Sequence, residues 1–262
     1  MTLAGMMDCK KALEEAEGNF EKAVEIIRKK GQSVANKRAD REASEGVVLA
    51  RVSDDGKRGI MIVLNSESDF VAKNAEFVGF ANQILDLAMK SNPADLEELK
   101  SLPMDGVTVG EKVVEYIGII GEKLELSAYY RIEAPFVQAY IHPGNKLAAL
   151  TGFDRAGLDQ QVYKDVVMQV AAMNPVAVDK GDVPQSVIDQ ELEIGREQAR
   201  REGKPEAMLE KIAQGKLAKF YKESTLLNQD FIKDSKITVG QYLKTAGDSL
   251  KVTGFERHSL TI

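Results

Sequence analysis

The chain has 262 residues, 44% of them hydrophobic and 29% charged, with 35 Lys and Arg against 41 Asp and Glu for a net charge of -6. That length allows one large domain or two to three small ones with a real core, and the acidic balance argues against a general nucleic-acid binder. No apolar run approaches the roughly 20 residues of a membrane-spanning helix, the opening MTLAGMMDCKK lacks the apolar centre of a signal peptide, and a single cysteine excludes an internal disulfide and suits a reducing cytoplasm.

In chain order, residues 6–30 predict two short helices broken at Gly18–Asn19. Asn19 is placed as an N-cap, and Phe20, Ala23, Val24 and Ile27 form an i, i+3, i+4, i+7 stripe. So small a pair buries little surface and needs a third element or a partner. Between Arg28 and Arg41 stand six basic residues and one acid, which reads as a solvated helix end running into a linker, with an RNA contact as the alternative.

Next, GVVLARV and GIMIVLN flank an Asp55–Gly56 turn signal and predict a β-hairpin. A helix is expected from about Phe70 to Met89, ending at Asn92–Pro93, and LELSAYYRIEA reads as a further strand. The arrangement recurs: FVQAYIH and KLAALTGF flank PGN, a helix runs from about Leu158 to Met173, and Asn174–Pro175 breaks it. Hairpin, helix, Asn-Pro occurring twice suggests two related α+β units. From Pro184 to Phe220 two charged helices meet at Gly203–Lys204, with Gly suited to a C′ position and Pro205 to a first turn. The tail predicts a connection with a short helix, and VTGFERHSL a final strand that closes the second unit.

The catalytic inventory is thin. His142, His258 and Cys9 make neither a metal cluster nor a nucleophile–base pair. GVTVGEKV, Gly106 to Val113, is no phosphate loop: three residues separate its glycines where four are needed, and Val follows the lysine. An unpaired set of carboxylates leaves an enzyme as a third possibility beside a protein-binding factor and an RNA-associated module.

AGMMDCKKAL near the start, SDFVAKNAEF after the first hairpin, and LLNQDF with TVGQYL near the end resemble bacterial translation elongation factor Ts, in order and spacing, over essentially the whole chain. The resemblance implies an α+β fold in five parts. Residues 1–42 form a helical, ubiquitin-associated-like domain, its first helix missing, with a basic linker. Residues 43–134 form a core N-subdomain and 135–178 the first part of a C-subdomain. Residues 179–222 form a helical coiled-coil arm, and 223–262 complete the C-subdomain, without the extra C-terminal helix of some members.

The implied function is binding to elongation factor Tu·GDP and promotion of GDP release by displacing magnesium and phosphate contacts, so that GTP can bind. No catalytic residue, cofactor, direct nucleic-acid contact or membrane is implied; a cytoplasmic location is, and a homodimer through the arm is left open. The family's Thr-Asp-Phe-Val motif, which dislocates magnesium from the GTPase, is matched by Ser68, Asp69, Phe70 and Val71. Ser68 departs from the Thr but keeps the hydroxyl, and Val63 stands where a Glu is common. Met6, Met7 and Lys10 fall in a region that touches the GTPase domain, with ordinary packing as their other reading. His142, beside Pro143–Gly144, falls where the family presents a second contact; a turn histidine without function is its alternative. Cys9 is expected to be buried or half-buried, and His258 has no assigned role.

By periodicity alone the motif reads differently. Ser68 or Asp69 caps a helix, and Phe70, seven residues before Phe77, faces the core. The resemblance instead turns Phe70 outward as a wedge, with Asp69 capping the helix and aiming it.

Overall fold

The computed structural model describes residues 5–245 and 250–261. The expected loss of a first helix and of a C-terminal one concerns the chain ends, outside the described residues.

Two helices open the described chain, α1 (Met6–Glu15) and α2 (Phe20–Lys37). Asn19 caps α2 as expected, its side chain accepting from the Lys22 amide at 3.0 Å. The predicted stripe needs correction, because Phe20 is exposed and the buried contact is made by Ala23 against Ala12 and Ala16. Small residues let the helices approach. The helix also runs through Lys37, so most of the basic stretch is helical, and Arg28, Lys30 and Arg38 pair with Glu115, Asp8 and Glu67.

The first hairpin is β1 (Glu45–Val52) and β2 (Arg58–Ser66), turning at Gly56, whose φ is 71°. The helix expected over 70–89 is in fact two. α3 (Asp69–Ala72) stops, and Asn74 caps α4 (Ala75–Ser91) by accepting from the Glu76 amide at 2.7 Å. A side chain that competes for backbone donors stops one helix and starts the next. Between α4 and the next long strand lie α5 (Leu96–Ser101), the short pair β3 (Pro103–Met104) and β4 (Val107–Thr108), and α6 (Val109–Ile120), none of them anticipated. A Thr108–Glu111 capping box starts α6.

β5 (Leu124–Glu133) pairs with β2, giving a sheet ordered β1-β2-β5. β6 (Phe136–Ile141) and β7 (Leu147–Phe153) form the second hairpin, followed by α7 (Gln160–Met173). α4 and α7 both end at a left-handed Asn, Asn92 and Asn174, with a proline next. The helices α8 (Gln185–Arg201) and α9 (Glu206–Ser224) run antiparallel, as the Arg196–Glu210 and Arg200–Glu206 pairs require. Gly203 turns between them with φ 72°. β8 (Asp230–Phe231) and β9 (Asp234–Thr238) form a small hairpin that the sequence pattern did not reveal, before α10 (Val239–Thr245). β10 (Val252–Ser259) completes a second sheet ordered β10-β7-β6, as expected of the final strand.

Both faces of the first hairpin are covered, which explains its unbroken apolar runs. Val47, Leu49, Ile60, Ile62 and Leu64 face Phe77, Phe80 and Ile84 of α4 and Tyr116 of α6. The alternate residues Val48, Ala50, Met61 and Val63 face Val137, Ala148 and Leu150 of the second sheet. The far side of β7 is covered by Tyr163, Val166 and Val170 of α7 with Leu243 of α10. The order is therefore helices, sheet, sheet, helices, an α+β arrangement with antiparallel sheets.

Candidate functional site

The β2–β5 ladder ends with Ser66 opposite Leu124. One and two steps further, Glu67 would face Lys123 and Ser68 would face Glu122. There, side-chain carboxylates accept where carbonyls would. The Lys123 amide donates to Glu67 Oε1 at 2.6 Å, and the Ser68 amide donates to Glu122 Oε2 at 3.0 Å. Ser68 Oγ also donates to Glu122 Oε1 at 2.7 Å. A carboxylate on a side chain reaches further than a backbone carbonyl, so the strands can part while both amides stay satisfied. β2 leaves its sheet through this reciprocal clasp and enters α3.

The clasp is tied to the N-terminal helices. Arg38, the C-cap of α2, donates from Nη1 to both Glu67 oxygens at 2.8 and 2.9 Å. Lys123 Nζ donates to the carbonyls of Ala39 and Arg41, each at 3.0 Å. Burial alone would raise the Glu67 pKa, but the Lys123 amide and the Arg38 guanidinium together hold it below the usual carboxylate value.

From this anchor, α3 divides its side chains sharply. Ala72 is buried and Val71 packs against the core under the first sheet, while Phe70 is 83% exposed. The core reading of Phe70 is thus wrong; Phe77 is the buried member of the pair. Keeping a phenylalanine in water forgoes the roughly 1.5–3 kcal/mol that its burial would contribute. Ser68, not Asp69, is the N-cap, accepting from the Val71 amide at 3.4 Å. Asp69 lies inside the first turn, where Lys73 Nζ donates to it at 2.6 Å. That hydrogen bond, opposed by slight burial, lowers the Asp69 pKa.

Ser68, Asp69, Phe70 and Val71 therefore form one held turn, whereas the other candidates lie on separate elements. Met6 and Met7 are 87% and 62% exposed on α1, and Lys10 pairs with Glu14 at 3.8 Å. Cys9 is half-buried beside them, as expected. His142 is exposed at the mouth of the β6–β7 turn, its Nδ1 2.9 Å from Tyr140 Oη. Glu67, Glu122, Arg38 and Lys123 escaped the sequence reading: Glu122 and Lys123 reach Ser68 and Glu67 across 54 and 56 positions through strand register, and Arg38 reaches Glu67 across 29 from the end of α2. Among the described residues no group of three or more His, Cys, Asp or Glu could hold a metal ion, and no helix is long and apolar enough to cross a membrane.

The family model described as Elongation factor TS matches residues 67–261. The chain is 54% identical to elongation factor Ts of Porphyromonas gingivalis over 261 residues, covering 99% of this chain and 94% of that protein. Elongation factor Ts of Amoebophilus asiaticus is 54% identical over 98% of this chain and 94% of its own length. That of Christiangramia forsetii is 51% identical over 99% and 94%. Fold and relatives together define a translation elongation factor. The chain belongs to the elongation factor Ts family.

Proposed function

We propose that this protein binds elongation factor Tu·GDP and speeds GDP release, with Phe70 as the wedge that enters the GTPase domain near its magnesium ion and Asp69 beside it. The observation that carries this reading is the exposure of Phe70, 83%, on a turn whose neighbours Val71 and Ala72 are anchored in the core. An exposed aromatic on a fixed backbone is the usual form of an interface hot spot, because little ordering entropy is lost on binding.

GDP is held by phosphate-loop amides and a metal ion, so a small displacement of those groups costs much nucleotide affinity. The factor needs no catalytic acid or base and no cofactor. It needs tighter binding to the nucleotide-loosened state, and by linkage each partner then weakens the other's hold, after which GTP can enter.

The remaining surfaces fit the same reading. Met6, Met7 and Lys10 would touch the GTPase domain from a ubiquitin-associated-like unit, and His142 would supply a second contact from the C-subdomain. The α8–α9 pair would act as a coiled-coil arm, contacting the GTPase or a second copy in a homodimer. The setting is the cytoplasm, without nucleic acid or membrane. Release of labelled GDP from purified elongation factor Tu, with and without this protein, tests the proposal: acceleration supports it, and an unchanged rate refutes it.

A further inference from the structure

Resting on that reading, we infer that Glu67 and Glu122 are positioning residues for Phe70, and that Arg38 makes the C-terminal end of α2 part of the same device. Phe70 stands two residues beyond Ser68, whose amide and hydroxyl are both held by Glu122 at 3.0 and 2.7 Å. The preceding residue, Glu67, is fixed from two other directions, by the Lys123 amide at 2.6 Å and by Arg38. The ladder could have continued with backbone carbonyls, as it does up to Ser66 and Leu124. Substituting side chains for carbonyls releases β2 from its sheet while keeping its continuation rigid, which aims α3 outward.

Two different parts of the chain hold Glu67 and Ser68, the end of α2 through Arg38 and the α6–β5 junction through Glu122 and the Lys123 amide, and the connection after α2 is tied to that junction by the Ala39 and Arg41 carbonyls on Lys123 Nζ. The direction in which Phe70 projects is therefore set by these charge-assisted hydrogen bonds before it and the core packing of Val71 and Ala72 after it, not by packing of its own ring. Loosening them leaves the contact surface in place but spreads the ring over many orientations, so it is the maximal exchange rate that suffers.

The test measures stimulated GDP release against concentration of elongation factor Tu·GDP for wild type, Glu122→Gln, Glu67→Gln, Phe70→Ala and each Gln variant combined with Phe70→Ala, with melting curves for all. A positioning role predicts a maximal rate lowered about tenfold or more by Glu122→Gln, the scale of one charge-assisted hydrogen bond, with the half-saturating concentration changed less than about twofold. Added to Phe70→Ala, the same change should cost less than about twofold more, because coupled residues are not additive. Glu122→Asp, which keeps the charge, should recover part of the rate. If the clasp variants fold and exchange like wild type, or if their losses multiply fully with that of Phe70→Ala, the positioning claim alone falls. If Phe70→Ala itself leaves release unchanged, the wedge reading falls and takes positioning with it. Glu67→Gln gives the same readings should Glu122→Gln not fold.

Discussion

Gly118 of α6 lies against Gly31 of α2 so closely that a Cβ on Gly118 would stand 2.6 Å from the Gly31 Cα. This contact supplies the third element that the small N-terminal helix pair needs, and the Arg28–Glu115 pair at 2.9 Å flanks it. The two glycines are not equivalent. A Cβ on Gly31 meets nothing nearer than 3.5 Å. Gly118→Ala should therefore push α2 off the core, destabilising by about 1–3 kcal/mol, and expose residues 38–44 to protease. Gly31→Ala should be neutral or stabilising by up to about 1 kcal/mol through helix propensity. Limited proteolysis and melting of the two variants check the difference.

The α8–α9 pair should be removable. The chain leaves and re-enters the core at paired residues: the Val176 amide donates to the Ser224 carbonyl at 2.8 Å, and Leu226 and Leu227 donate to Ala177 and Val178. Within the pair, Gly195 meets Ala213, and Ala199, Leu209 and Leu217 are buried. Replacing residues 184–223 by a short Gly/Ser linker should leave a cooperatively melting core, because the two ends already lie together. Exchange activity should be partly retained while self-association or affinity changes. Loss of the cooperative transition would show that the helices are structural rather than separable.

Capping at the motif can be separated from display. Ser68→Ala removes both the cap and the hydroxyl's bond to Glu122, and should cost about 1–2 kcal/mol of stability. Ser68→Thr keeps the hydroxyl and should restore most of it. Asp69→Ala breaks a partly exposed pair with Lys73, and its weaker backbone contacts at the helix start, and should shift the melting temperature less than Ser68→Ala does. An Asp69 variant that melted much earlier than Ser68→Ala would contradict this division.

The two hairpins and the C-terminal ends of their helices were legible because Asp55–Gly56, Asn92–Pro93 and Asn174–Pro175 punctuate apolar runs. The outward face of Phe70 was not legible from periodicity. A seven-residue spacing to Phe77 assigns both rings to one side only if the helix is continuous, and Asn74 interrupts it. That residue could have warned of the break, as Thr108-Val109-Gly110-Glu111, a capping-box pattern, could have revealed α6. The clasp had no local signal, since Glu67 and Lys123 meet only when β2 and β5 are in register. Resemblance supplied what periodicity could not, the exposure of Phe70.

One pH effect should be measurable. His258 on β10 is half-buried with Nδ1 2.9 Å from Tyr130 Oη on β5 of the other sheet. Burial, with repulsion from Arg257 adding to it, lowers its pKa below the ordinary 6.5. The unfolded chain then binds the proton more readily, so stability should fall as pH drops from about 6.5 toward the folded pKa. Glu256, raised by burial, works in the opposite sense at lower pH. His258→Gln should flatten the fall in melting temperature between pH 7.5 and 5.5; an unchanged slope would show that the seam histidine does not control it.

The most direct test of the central claim is a paired measurement on Phe70→Ala, the melting temperature and the rate of stimulated GDP release from elongation factor Tu. With the ring 83% exposed, no core cavity forms, and melting should stay within about a degree of wild type. Release should slow by about tenfold or more, the scale of a ~2 kcal/mol hot spot. A variant that melts normally and still drives GDP release at the wild-type rate would contradict the account.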